Sequence, residues 1–351
     1  MRARIPVAIL GATGNVGQKF VLQLHNHPWF EILAVCASDN SAGKSYREAV
    51  TWRQPETLPA EVAELTVGAC RLPIESCPIV FSALGSDIAG EIEKSFAQAA
   101  HWVFSNARNH RMDPDVPLLL TEVNPDHLAM LPFQRTNRQW PGAIVTNANC
   151  STIALCLALG PIHRRFGLEK VHVVTLQAVS GAGYPGVPSL DILGNVIPNI
   201  PGEEAKLELE TCKILGQLRA DGRVRPAETV VSAQTTRVPV IDGHMACVSV
   251  SLAASATELN LLECWQQETP LPRELPTAPR LPVLLTHEQD RPQPRLDSWR
   301  GKGMASVVGR LRPCPVLDFK FVVLGHNTIR GAAGTSVLNA ELALFQGLIE
   351  R

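Results

Sequence analysis

This chain lacks a charge imbalance, a long apolar run and paired cysteines. With 32 Lys and Arg against 33 Asp and Glu, the formal net charge is −1. That removes the electrostatic case for nucleic acid or an anionic membrane as partner. No apolar run approaches the roughly 20 residues of a membrane span. The apolar stretch from Ile5 to Leu10 follows a basic start, Met1-Arg2-Ala3-Arg4, but is too short for a signal peptide and runs straight into a glycine motif. Nine cysteines, an odd number, show no CxxC pair and no metal-ligand spacing. Free thiols in a reducing cytoplasm are therefore expected, and no metal. No internal repeat is visible. What is present is a globular composition, 45% hydrophobic and 19% charged, over 351 residues. That length exceeds one ordinary core and implies two domains.

The first half alternates strands and helices. Residues 5–10, 31–37, 79–82 and 102–105 read as buried strands, and residues 16–25 and 87–99 as helices. Such alternation implies βαβ units on a parallel sheet, a doubly wound domain ending near Asn149. The second half has another texture, with strand-like runs at 170–179, 229–240, 245–252, 304–311 and 318–324. Helix-like segments cover 203–218 and 258–267. These predict a mostly antiparallel sheet with helices on one face. Residues 269–295, rich in proline and charge, read as a surface loop. In the last segment Val337, Leu338, Leu342, Phe345 and Ile349 fall near one helical face, which suits a terminal helix packed back on the first domain.

Two local features carry chemistry. Cys150 lies where the apolar run Ala143-Ile144-Val145 gives way to a helix-like segment starting at Thr152. Backbone N–H groups at a helix start favour a thiolate and can lower a cysteine pKa into roughly the 3.5–7.5 range. A nucleophile is the functional reading, a buried structural cysteine the plain one. Gly11, Gly14 and Gly17 follow the first strand and open the first helix. Glycines there let the backbone turn tightly against a diphosphate seated on the helix N-terminus. At the end of the second strand, Ser38, Ser41 and Lys44 suit the 2′-phosphate of NADP, while Asp39 suits the ribose of NAD.

Nine ordered segments together resemble the aspartate-semialdehyde dehydrogenase family, in its archaeal and fungal branch: GATGNVGQ (11–18), SAGK (41–44), SNARNHRMDPDVPLL (105–119), EVNPDHL (122–128), TNANCSTI (146–153), LQAVSGAGYPG (176–186), IPGEEAK (200–206), RVPVIDGH (237–244) and HNTIRGAAG (326–334). The resemblance runs from end to end. It implies an α/β chain with an N-terminal doubly wound Rossmann-type domain and an α+β catalytic and dimerisation domain on a largely antiparallel sheet. The expected division is residues 1–149, completed by 327–351, and residues 150–326. The implied activity is reversible NADPH-dependent reduction of β-aspartyl phosphate to aspartate semialdehyde with release of phosphate, in biosynthesis of lysine, threonine, methionine and isoleucine. A homodimer or homotetramer in the cytoplasm is implied, with small molecules as substrates.

The resemblance also implies roles. Cys150 is the nucleophile and His244, following a glycine in a loop between two strands, the proton shuttle. Gln177, at a strand end, orients the substrate or an oxyanion. Arg237, seven residues before His244, binds the substrate carboxylate. Arg111 binds phosphate, and Glu203 and Lys206, one helical turn apart, bind the amino group and phosphate, with Asn149, beside the nucleophile, a further substrate-binding residue. The plain reading of that last pair is an exposed i, i+3 ion pair. Cofactor-binding positions are Gly11, Thr13, Gly14, Asn15, Val16, Gly17, Ser38, Ser41, Lys44, Ser86, Gly181, Ala182, Asn327 and Thr328. Asn40 stands where relatives often carry a basic residue, so NADP is expected to be preferred over NAD by a narrowed margin. N-acetyl-glutamyl-phosphate reductase and malonyl-CoA reductase share the Cys–His plan; the set Gln177, Arg237 and Glu203 favours an amino-acid substrate. A nucleotide-binding regulator with a decayed site would have lost Cys150, His244 or Arg237, and all three are present.

Overall fold

Residues 5–10, an unbroken apolar run, form a strand (β1, Ile5–Leu10) buried almost throughout, as a central parallel strand requires. The computed structural model describes residues 3–74, 76–267 and 271–349. Around β1 stand β2 (Phe30–Ala37), β3 (Val67–Ala69), β4 (Ile79–Ser82), β5 (Trp102–Ser105) and β6 (Ala143–Thr146), all parallel, in the order β3-β2-β1-β4-β5-β6. The order reverses between β1 and β4, so a crevice opens beyond their carboxyl ends. Helices α1 (Asn15–Leu24), α2 (Ala89–Gln98) and α3 (Leu131–Arg138) accompany this sheet. The strand β3 has no counterpart among the strands expected from sequence; three residues are too few for a periodic signal.

The chain then enters α4 (Cys150–Phe166), which lies against a second sheet. That sheet runs β10-β7-β11-β14-β13-β12, with β7 (Leu168–Gln177), β10 (Val230–Arg237), β11 (His244–Leu252), β12 (Val283–Leu285), β13 (Ser306–Pro313) and β14 (Phe319–Gly325). Three of its pairings are antiparallel and two, β7 with β10 and β12 with β13, are parallel. Alternation sets which side chains face α4: Val171, Val173, Thr175 and Gln177 from β7, and His244, Ala246, Val248 and Val250 from β11, are buried. Helix α5 (Glu203–Ile214) connects β7 to the parallel strand β10, and α6 (Glu258–Trp265) packs on the same core. Glu204 and Glu208 of α5 accept the free N–H groups of Thr235 and Ala233, which covers the outer edge of β10. Helix α5 ends before residue 218, because Gln217–Leu218 (β8) turns into a small hairpin with Val224–Arg225 (β9).

The segment expected as a surface loop does more than connect. Residues 269 and 270 lie outside the described residues, but Leu271 and Leu275 are buried in the core of the first sheet, and β12 lies within the segment. Its proline content masked a three-residue strand. The terminal helix α7 (Gly334–Phe345) is buried on every side from Gly334 to Leu344, where a one-faced helix was expected. It packs in the core of the first sheet with Val337, Leu338 and Leu342, while Phe345 is exposed and Ile349, though buried, lies past the helix end. Glu341, fully buried on α7, accepts hydrogen bonds from the Thr277 amide and hydroxyl and pairs with His27 Nε2 at 2.9 Å. One carboxylate thereby joins the connecting segment, the last helix and the first sheet.

An orphaned buried donor costs about 1–3 kcal/mol. Glu341→Ala orphans donors on both Thr277 and His27, so it should lower the thermal unfolding midpoint by several degrees, read by calorimetry against wild type. An unchanged midpoint would show that this junction carries no stability.

Candidate active site

A cavity of about 860 Å³ opens between the carboxyl ends of the first sheet and the start of α4. Its wall includes Cys150, Asn149, Arg111, Glu203, Lys206 and Arg237, which the sequence assigns to catalysis and substrate. It also includes Asn15, Val16, Ser86, Gly181, Ala182, Asn327 and Thr328 from the cofactor set. Residues from both halves of the chain, up to 317 positions apart in sequence (Asn15 to Ala332), meet on this one surface.

The glycine turn shapes the cofactor end. Gly11 has φ of +72°, and a Cβ at Gly17 would sit 2.2 Å from the Gly11 carbonyl oxygen. Only glycine lets α1 start so close to the strand end. No side chain caps α1, so its first N–H groups are left for an anion. Gly11, Thr13, Gly14 and Gly17 build this turn, while Asn15 and Val16 present it to the cavity. Ser38, Ser41 and Lys44 lie past β2 and do not line the cavity; Lys44 Nζ donates to the Asn40 carbonyl at 3.0 Å. Asp39, which argues for NAD on sequence, pairs with Arg71 at 3.3 Å. Arg71 was not anticipated: it follows β3, itself unseen in the sequence, and it offsets the charge of Asp39.

Asn149 caps α4, its Oδ1 accepting from the amides of Ser151 and Thr152 at 2.9 and 3.4 Å. Its Nδ2 donates to Glu203 at 2.6 Å, and Lys206 Nζ donates to the other oxygen of Glu203 at 2.9 Å. Glu203 is buried, so this is no exposed surface pair. Arg111 donates to Glu210 at 2.9 Å and to the Asn106 carbonyl at 2.7 Å. Glu210 also takes the Asn149 amide at 2.5 Å. Asn106, Arg108 and Asn199 line the cavity too, beyond the residues expected.

The ends of three strands supply the other side. Register sets Arg237 beside Gln177, and Met245 beside Leu176, so His244 follows level with Gln177. His244 is the first residue of β11 and is buried, not a loop residue as expected. Neither His244 nor Gln177 reaches the cavity wall; Gln177 Nε2 turns back to Thr175 at 3.3 Å. The turn at Val179–Ala182 covers His244: a Cβ at Gly181 would stand 2.7 Å from His244 Nε2 and 3.0 Å from Arg237 Nη1. Glycine there is the only residue that leaves room between the imidazole and the cavity. Arg237 Nη1 donates to the Ala178 carbonyl at 2.8 Å, and Asn327 ties Gly243 to Ser180.

Electrostatics reverse one expectation. Burial pushes the Cys150 thiol up to about 12, and Glu203 adds to that shift, against the pull of Arg111, Arg237 and the Ser151 amide. Part of Cys150 faces the cavity, where water offsets some of the burial; the upward direction stands because Glu203 acts with it. The helix start alone suggested a lowered value; its Ser151 amide does pull that way, but burial and Glu203 outweigh it. Burial, with Arg237 and His326 nearby, pushes His244 down to about 3. The Ala178 amide donates to His244 Nδ1 at 3.0 Å. A neutral ring that accepts at Nδ1 carries its proton on Nε2. The resting pair is therefore a thiol and a neutral imidazole that presents an N–H.

Comparison with known proteins gives the family. Residues 6–131 match the family model described as semialdehyde dehydrogenase, NAD binding domain, and residues 159–330 match semialdehyde dehydrogenase, dimerisation domain. The chain belongs to the semialdehyde dehydrogenase family. It is 46% identical to the aspartate-semialdehyde dehydrogenase of Archaeoglobus fulgidus over 99% of this chain and 100% of that protein. It is 47% identical to that of Schizosaccharomyces pombe over 98% and 99% of the two chains. The crystal structure of the Candida albicans enzyme with NADP superposes with a TM-score of 0.91 at 43% identity, covering 98% of this chain and 99% of that one.

The pKa directions predict a pH profile. A raised thiol pKa leaves little thiolate at neutral pH, and the thiolate fraction grows as pH rises. Alkylation of Cys150 by iodoacetamide in the free protein, followed by peptide mass spectrometry, should keep accelerating through pH 9. A plateau reached below pH 8 would instead indicate a resting thiolate–imidazolium pair.

Proposed function

We propose that this chain is a phosphorylating, NADP-dependent aspartate-semialdehyde dehydrogenase, interconverting L-4-aspartyl phosphate and L-aspartate 4-semialdehyde with phosphate in aspartate-family amino-acid biosynthesis. One observation carries the reading. Around a single thiol the cavity sets a guanidinium (Arg237), a carboxylate (Glu203) and two further cations (Arg111, Lys206). An aspartyl phosphate bears the complement of each: an α-carboxylate, an α-ammonium and an acyl phosphate. The relatives' names support it, as does the Candida albicans structure with NADP.

The uncapped start of α1, which Gly17 allows to sit close against the end of β1, suits the diphosphate of NADP, and Asn15, Val16, Ser86, Gly181, Ala182, Asn327 and Thr328 are assigned to hold the cofactor. Ser38, Ser41 and Lys44 are assigned to the 2′-phosphate, with the Asp39–Arg71 pair removing a repulsion. NADPH, when bound, supplies the hydride that reduces the acyl carbon.

The chain's own residues do the rest. In the reductive direction Arg237 takes the α-carboxylate and Glu203 the α-ammonium. Burial is the main cause that holds the Cys150 thiol protonated and Glu203 the second; the ammonium neutralises the second, so recognition assists activation. Cys150 sulfur displaces phosphate from the acyl carbon; the thiol proton leaves on the phosphate, which Arg111 and Lys206 hold. The resulting thioester is reduced to a thiohemiacetal oxyanion, which accepts a hydrogen bond from His244 Nε2 and from the Gln177 amide once the covering turn yields. Collapse of the oxyanion releases the aldehyde and returns the thiolate, which is reprotonated.

The two units are assigned as residues 1–149 with 327–351, and residues 150–326. The match to a dimerisation domain supports oligomerisation; we assign a homodimer or homotetramer built on the second sheet's face away from α4, where Val174, Leu176, Met245 and Val322 are half-buried. No described helix is long and apolar enough to cross a membrane, and the cytoplasm is the assigned location, with no nucleic-acid or membrane partner.

The test compares substrates. NADP reduction should be phosphate-dependent with L-aspartate semialdehyde. It should be at least about 100-fold slower in kcat/KM with N-acetylglutamate semialdehyde, or with malonate semialdehyde plus CoA, because unpaired buried charges reject the wrong substrate. Comparable or higher kcat/KM with either alternative would overturn the assignment.

A further inference from the structure

We propose that Glu210 is a positioning residue for this reaction, holding the phosphate-binding arginine and the nucleophile's helix start in one fixed relation. The proposal deepens the functional reading above and rests on it. Glu210 is 2% exposed on α5 and does not line the cavity, so it acts through what it holds. One of its oxygens accepts from Arg111 Nη1 at 2.9 Å, and the other accepts the Asn149 amide at 2.5 Å. Asn149 directly precedes Cys150 and caps its helix. A single carboxylate thus spans the two groups that must meet the leaving phosphate and the acyl carbon.

Arg111 is held at two points: its Nη1 donates to Glu210 and its Nη2 to the Asn106 carbonyl. The same side chain lines the cavity, so the guanidinium that Glu210 holds lies in reach of an anion that arrives with the substrate. One turn further along α5, Lys213 Nζ donates to the carbonyls of Arg111, Asp113 and Val116 at 2.7, 2.8 and 2.9 Å. It clamps the backbone of the loop whose side chain Glu210 orients. Burial lowers Lys213 to about 8, against Asp113, Asp115 and Glu210, which raise it. A carboxylate buried only for stability is poorly favoured, since its desolvation offsets most of the gain from pairing. Fixing Arg111 at the cavity wall, while holding the amide before Cys150, is what this carboxylate accomplishes.

The experiment uses the full-length enzyme in the oxidative direction, with L-aspartate semialdehyde, NADP and varied inorganic phosphate. Glu210→Gln keeps the volume and an acceptor for the Asn149 amide but loses the charge that aims Arg111. It should raise the KM for phosphate about tenfold or more, the scale of one weakened charge-assisted hydrogen bond. The NADP dissociation constant, read by fluorescence, should change less than about twofold, a split that general loosening of the fold would not produce. In an Arg111→Ala background the same substitution should add no further rise in phosphate KM, because both changes act through one guanidinium. If Glu210→Gln does not fold, Glu210→Asp, which keeps the charge and shortens the reach, is read by the same criteria. An unchanged phosphate KM, or effects of Glu210 and Arg111 that multiply independently, would overturn the proposal. A wild-type enzyme with no phosphate dependence would instead overturn the functional reading beneath it.

Discussion

Helix α5 buries charge where most helices bury hydrocarbon. Glu203, Lys206, Glu210 and Lys213, at spacings of three, four and three, fall on one face, and that face is turned into the site. Glu203, Glu210 and Lys213 would be costly alone in such a setting, and each is held by a partner from another element, while the half-buried Lys206 pairs with Glu203 on the same helix. Glu203 holds Asn149, Glu210 holds Asn149 and Arg111, and Lys213 holds the loop that carries Arg111. The cysteine's position, the arginine's direction and the charge around both follow from this stripe. The same helix covers the outer edge of β10 through Glu204 and Glu208, so its placement is set from two sides.

Against that stripe stands the row of strand ends. Strand alternation and register carry Arg237, Gln177 and His244 to one level, and the Gly181 turn lies over them. The imidazole is buried, accepts at Nδ1 and is depressed in basicity, which suits the hydrogen-bond donor of the proposed function better than a base. The thiol is held protonated by burial and by Glu203, and in the proposed reading the substrate's ammonium relieves the second of these. A site so arranged is quiet without substrate, which limits adventitious modification of Cys150.

Much of this was legible in the sequence, for local reasons. Gly11, Gly14 and Gly17 after an apolar run state a strand–turn–helix, and the alternation of apolar segments states a parallel sheet. The apolar run before Cys150 and the helix-like segment after it state a helix start, though not that Asn149 caps it. The spacing of Arg237 and His244 states a shared strand–turn unit, although His244 begins the strand where a loop position was expected. What was not legible depends on contacts distant in sequence. The Glu203–Lys213 stripe has helical spacing in the sequence, but four charges at that spacing ordinarily describe a solvated face. Arg71 could not be connected with Asp39 until β3 paired with β2. The direction of the Cys150 shift required knowing how deeply the thiol is buried and that Glu203 arrives beside it. The strand at 283–285 was hidden by the prolines around it.

The central claim is that Cys150 carries the acyl group between hydride transfer and phosphate, within the charges that α5 sets around it. Enzyme mixed with L-aspartate semialdehyde and NADP without phosphate, quenched in acid and examined by peptide mass spectrometry, tests that claim directly. The account predicts a burst of about one NADPH per active site, with an aspartyl group on the peptide containing Cys150 that phosphate then removes. A burst without that adduct, or an aspartyl group on any other residue, would contradict it.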